Sequence, residues 1–224
     1  MKAFLHPRLT SSVIVVLAIT LPGVAQSASP AKAPQRATSA PYTGDLSIFD
    51  SPGREQRLQI DRVMDILGIQ AGKGVADIGA GSGWFTVLAA RRVGTSGTVY
   101  AVDINPEAIH HIEQRASSAS LPNVKTILSK SDDPMLPKAA VDAVLLLKTY
   151  HEVADPVSLL QNLRLSLKPG AKVGIIDRNG DGTNHGVGRK IVVEEASRAG
   201  YRLLETYDFV KPDGMDYFLV FALR

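Results

Sequence analysis

The chain has 224 residues, a formal charge of +3 and no cysteine. That length suits one domain with a sizeable core plus extensions. Without cysteine, disulfides, thiolate metal sites and a cysteine lipid anchor are excluded. A charge this small, with no stripe of Lys and Arg interleaved with aromatics, gives no footing to a nucleic-acid partner.

The first 25 residues differ from the rest. Lys2 and Arg8 precede an apolar run from Val13 to Leu21, and Pro22, Gly23 and Ala25 follow. A basic start, a short apolar run and small residues read as a secretory signal peptide cleaved after Ala25 or Ser27. The run is too short to span a bilayer, which takes about 20 apolar residues. An uncleaved inner-membrane anchor is the alternative. Loss of Lys2 and Arg8 would leave a mature chain of charge +1. Residues 26–49, rich in Ala, Ser and Pro, carry little that packs and read as a disordered linker. From residue 50 the pattern changes. Residues 51–68 predict one amphipathic helix, capped by Ser51 with Pro52 in its first turn and stopped by Gly68.

Past Gly72, β-branched runs alternate with helical segments, the signature of a parallel sheet covered on both faces. Strands are predicted at 74–78, 98–102, 124–128, 141–147, 171–177, 202–209 and 215–223, and helices at 83–92, 106–118, 156–167 and 188–199. No helix separates the last two strands. A hairpin at Lys211-Pro-Asp-Gly214 therefore makes an antiparallel edge strand.

The first of these strands runs into Asp77-Ile-Gly79-Ala-Gly81-Ser-Gly83-Trp84. Strand, tight turn and helix start bring main-chain N–H groups to a ligand at a place where side chains would obstruct it. A P-loop is excluded, because no Lys-Ser/Thr pair follows the glycines. A dinucleotide fingerprint requires a small residue where Trp84 stands. The pattern D-x-G-x-G-x-G resembles motif I of the class I S-adenosylmethionine-dependent methyltransferases. The similarity continues through Val102-Asp103-Ile-Asn-Pro-Glu107, Leu136-Pro137, the run 141–147 and Leu167-Lys-Pro-Gly170, and so covers residues 50–224. As a whole it resembles a group of predicted bacterial methyltransferases, several with signal peptides.

The resemblance implies a Rossmann-like seven-stranded α/β sheet of order 3-2-1-4-5-7-6 with an antiparallel last strand, S-adenosylmethionine as cofactor, and a small or medium organic acceptor. Asp77, Gly79, Gly81 and Gly83 then form the donor loop. Asp103 lies 24 residues after Gly79, at the end of the second strand, where a carboxylate accepts hydrogen bonds from ribose hydroxyls. Asp132, after the third strand, is expected to accept the adenine amino group. Tyr150 and His151, at the end of the fourth, are expected to border the methyl group, with His151 as a possible general base.

No metal site is predicted. His151-Glu152-Val-Ala-Asp155 lacks the second histidine of H-E-x-x-H. Asp177-Arg-Asn179-Gly-Asp181-Gly182 begins like a calcium loop, but Gly188 stands where a bidentate Glu is needed. Two other functions stay open: an exported nucleoside-binding module without transfer activity, and an NAD-linked oxidoreductase.

Overall fold

The computed structural model describes Met1 and residues 36–211 and 213–224. The expected signal peptide, beyond Met1, and the first part of the expected linker lie outside the described residues.

A short 3₁₀ turn, Leu46–Asp50, precedes α1 (Arg54–Leu58) and α2 (Ile60–Leu67). The single helix expected over 51–68 is thus broken in two. Gln59 adopts a left-handed conformation, φ +46°, and its N–H closes α1. Ser51 caps neither helix; its hydroxyl accepts from Arg57 at 2.7 Å. Gly68 ends α2 as expected.

There follow β1 (Gly74–Ile78), α3 (Trp84–Val93), β2 (Thr98–Asp103), α4 (Pro106–Ser118), β3 (Val124–Leu128), β4 (Val141–Leu147), α5 (Pro156–Leu163), β5 (Leu167–Arg178), α6 (Arg189–Arg198), β6 (Tyr201–Tyr207) and β7 (Asp216–Leu223). Helix α4 starts as its sequence requires: Asn105 accepts from the Glu107 N–H at 3.0 Å, and Pro106 needs no N–H partner. Strand β5 begins earlier than expected. Leu167 already pairs with Val141, and the register then slips so that Lys-Pro-Gly170 bulges out of the ladder.

The seven strands lie in the order β3-β2-β1-β4-β5-β7-β6. Strand β7 runs antiparallel to both β5 and β6. It is the antiparallel strand, but not an edge: β6 occupies the rim, because β7 bonds directly to β5 along six register pairs. Alternation along β4 divides the core. Val144 and Leu146 face one cluster with Leu159, Leu163 and Val192, while Leu145 and Leu147 face another with Val63, Leu67 and Phe85. After β3 the chain crosses back to place β4 on the far side of β1. That reversal opens a crevice at the carboxyl ends of β1 and β4.

Candidate active site

A cavity of about 660 Å³ fills that crevice. It lies within the 300–1,000 Å³ range of small-molecule sites. Its floor is the turn from Ile78 to Ser82. The end of β2 and start of α4 (Asp103 to Pro106), the loop Ser129 to Ser131, and the end of β4 (Leu147 to Thr149) form its sides.

Gly79 and Gly81 are shaped by different demands. Both have positive φ, +71° and +54°. A Cβ on Gly79 would lie 2.2 Å from the Thr149 hydroxyl, so the turn can approach β4 only as glycine. A Cβ on Gly81 meets nothing nearer than the Phe49 ring at 3.7 Å; there the open side is the cavity. Gly83 precedes Trp84 as the cap residue of α3.

Asp103 is tied to this loop. One carboxylate oxygen accepts from the Gly81 N–H and the other from the Asn105 N–H, both at 2.9 Å. It therefore orders the turn and still lines the cavity with its remaining lone pairs. Asp77 is buried beneath the turn and accepts from Thr86 Oγ1 at 2.6 Å. Burial pushes its carboxyl up to about 7 against the opposing effects of the Thr86 bond and the Arg54 guanidinium. Arg54 itself stacks over Trp84 at 4.4 Å. Trp84 thus forms part of the cavity wall.

Three expected residues stand elsewhere. Asp132 is exposed, outside the cavity lining, with its carbonyl bonded to Asn162; Ser129, Lys130 and Ser131 reach the cavity instead. Tyr150 is fully buried and donates to Glu195 at 2.9 Å, and burial raises its phenol well above the ordinary range. His151 is buried against Asp177, with Nδ1 2.9 Å from Oδ1 and the backbone N–H donating to Oδ2 at 3.0 Å. Neither residue lines the cavity. These bonds also engage Asp177, the first residue of the stretch that begins like a calcium loop.

The residue that does reach the cavity from this turn is Glu152. Burial pushes its carboxyl up to about 7, while His151 and the Tyr42 N–H pull it down. Sequence reading missed it because residues 150–152 form a 3₁₀ turn, whose successive side chains point about 120° apart.

The remaining wall comes from residues assigned to the linker. Thr38 to Thr43, Leu46 and Phe49 line the cavity, and the strap they form is anchored by specific bonds. Arg36 pairs with Glu195 at 3.0 Å and donates to the Tyr150 carbonyl at 2.7 Å. Buried Ser39 donates its N–H to the His151 carbonyl and its hydroxyl to the Gly182 carbonyl, each at 3.3 Å. At the strap's end Asp50 accepts from Ser82 and Arg115. From Arg36 onward, then, the expected disordered linker is a bonded segment of the domain.

Residues 75–170 match the family described as "Methyltransferase domain". The chain is similar to a protein-L-isoaspartate O-methyltransferase of Pyrococcus horikoshii, 30% identical over 50% of this chain and 47% of that one. A 2-phytyl-1,4-naphtoquinone methyltransferase of Trichormus variabilis is also 30% identical, over 62% and 60%. The chain spans about half the length of the curated relatives it matches. Among solved structures, a SAM-dependent methyltransferase from Aquifex aeolicus superposes with a TM-score of 0.73 at 24% identity, covering 81% of this chain and all of that one. The domain match, the strand order and the glycine loop converge on one cavity, and over this region the chain is similar to S-adenosylmethionine-dependent methyltransferases.

Proposed function

We propose that the protein transfers the methyl group of S-adenosylmethionine to a small or medium organic acceptor. The observation that carries this reading is one cavity lined both by the turn from Gly79 to Ser82 with Asp103 and by the largely apolar residues Tyr42, Leu46, Phe49, Val153 and Leu159. Displacement at a sulfonium carbon needs acceptor, methyl carbon and sulfur in line and shielded from water, a demand that a cavity with both linings can serve without a nucleophile or metal of the protein's own. Asp103 and Asp77 surround the turn with carboxylates, and the donor is cationic at its sulfonium and ammonium groups. The named relatives act on a naphthoquinone and on isoaspartyl protein; a walled cavity of this size favours the former kind of acceptor. The near-neutral mature charge argues against nucleic acid.

Titration calorimetry with S-adenosylmethionine, S-adenosylhomocysteine and NAD tests the donor. Asp103→Ala is expected to weaken binding of the first two about ten- to a hundredfold, as loss of a charge-assisted bond of about 1.5–3 kcal/mol implies. Selective binding of NAD would refute the reading. A nucleoside-binding module without transfer remains the second reading, because a donor made in the cytoplasm has no evident route to an exported enzyme. Incubation with radiolabelled donor and candidate quinones and phenols separates the two.

Export itself rests on the composition of residues 1–25, and the expected location is the periplasm, or the inner membrane if the signal is retained. Among the described residues no helix is long and apolar enough to cross a membrane. In a bacterial host, the periplasmic fraction should contain a form beginning near Gln26 or Ala28. Cytosolic protein retaining Met1 would refute export and remove the question of donor supply.

A further inference from the structure

Two histidines and a carboxylate meet where the strap crosses the ends of β4 and β5. A ring nitrogen of His151, a ring nitrogen of His185 and a carboxylate oxygen of Glu152 all lie within 4.8 Å of one another. The two rings are nearly perpendicular, with centroids 5.7 Å apart.

The surroundings prepare His151 as a ligand. Asp177, itself fully buried, faces Nδ1, and a carboxylate on that nitrogen holds the proton there and leaves Nε2 with its lone pair. Nε2 and Glu152 Oε1 face each other at 3.8 Å, beyond hydrogen-bond reach. Two electron-rich atoms thus confront each other across a gap, with an imidazole as the third side. His185 is held there by its backbone: its N–H donates to Ser39 Oγ at 2.9 Å, and its φ of +58° is one that a non-glycine residue rarely adopts. Metal bonds of about 2.0–2.2 Å place tetrahedral ligand atoms about 3.3–3.6 Å apart, so no pair need close by more than about 1.5 Å.

We propose that His151, Glu152 and His185 bind one divalent transition-metal ion of the zinc class. Two imidazoles and one carboxylate suit such an ion and leave a fourth position free. Since Glu152 lines the cavity, that position adjoins the acceptor side. The H-E-x-x-H pattern remains absent; the second imidazole comes from 34 residues further on, in the loop after β5. Any part in transfer rests on the function proposed above, whereas metal binding does not.

The test is titration of the chelator-treated protein with Co²⁺, read by visible absorption, followed by competition with Zn²⁺. One equivalent of Co²⁺ should produce ligand-field bands that Zn²⁺ abolishes. His185→Ala, at an exposed position, and Glu152→Gln should each weaken binding at least about tenfold. His110→Ala, on α4 and outside the cluster, should not. Absence of the bands, or bands and affinity unchanged in His185→Ala, would overturn the proposal. Because the readout is metal binding, its failure is distinguishable from failure of methyl transfer.

Discussion

Gly81→Val is expected to abolish donor binding while leaving the fold intact. The glycine sits at φ +54° with its missing side chain directed at the cavity, the nearest atom to a built Cβ being Phe49 at 3.7 Å. Valine methyls there occupy ligand space without striking the core. The same substitution at Gly79 would drive into Thr149 and confound binding with folding. A left-handed valine costs about 1–2 kcal/mol in backbone strain, a modest loss for a domain of this size. Overpacking against the donor adds to this, so affinity for S-adenosylmethionine should fall on the order of a hundredfold or more. Calorimetry on the folded variant, with circular dichroism as the folding control, measures this. Undiminished affinity would place the donor elsewhere.

The second large effect concerns stability against pH. Asp77 titrates near 3.8 in an unfolded chain and at about 7 in the folded one, because burial penalises its charge. Between those values the folded state keeps a proton that the unfolded state has released. The neutral carboxyl's contribution is therefore complete below about 3.8 and is lost as pH rises through 7, a change on the order of 4 kcal/mol. Asp77→Asn retains an acceptor for Thr86 and cannot ionise. Relative to the parent, the variant should gain stability steadily from about pH 4 to pH 7 and level off above that, read as urea midpoints that diverge and then run parallel. A constant offset between the two curves would show that Asp77 is not the group responsible. Bound donor, bringing positive charge to the site, should reduce the divergence.

The parts legible in sequence are those with a local period or a fixed spacing. Strands 74–78, 124–128 and 141–147 follow from β-branched runs, and the donor turn follows from glycines placed between a strand and a helix. Asp103 was found by its place at a strand end, although its bonds to the loop N–H groups were not foreseen. Strand order came from family resemblance, and so did the interior position of β7, which a hairpin alone would have put at the edge. The strap was missed for a physical reason: Arg36 and Ser39 act through single bonds to Glu195, Tyr150 and Gly182, more than a hundred positions away, and such contacts leave no periodic trace. Gln59 likewise breaks a helix whose apolar spacing continues across it. At the end of β4 the residue types were informative but their directions were not. The turn buries Tyr150 and His151 and presents Glu152.

The chain segment before the first helix lines the same cavity as the donor turn, so widening the cavity on that side means displacing the segment. Displacement breaks the Arg36 ion pair and the three Ser39 hydrogen bonds together, so it is an activated event. Where ligand exchange passes on that side, the opening rate sets a ceiling on turnover that no change at the methyl carbon can raise. Such a ceiling is sensitive to solvent viscosity, and the gate, rather than the chemistry, becomes the place where speed is exchanged for protection from water.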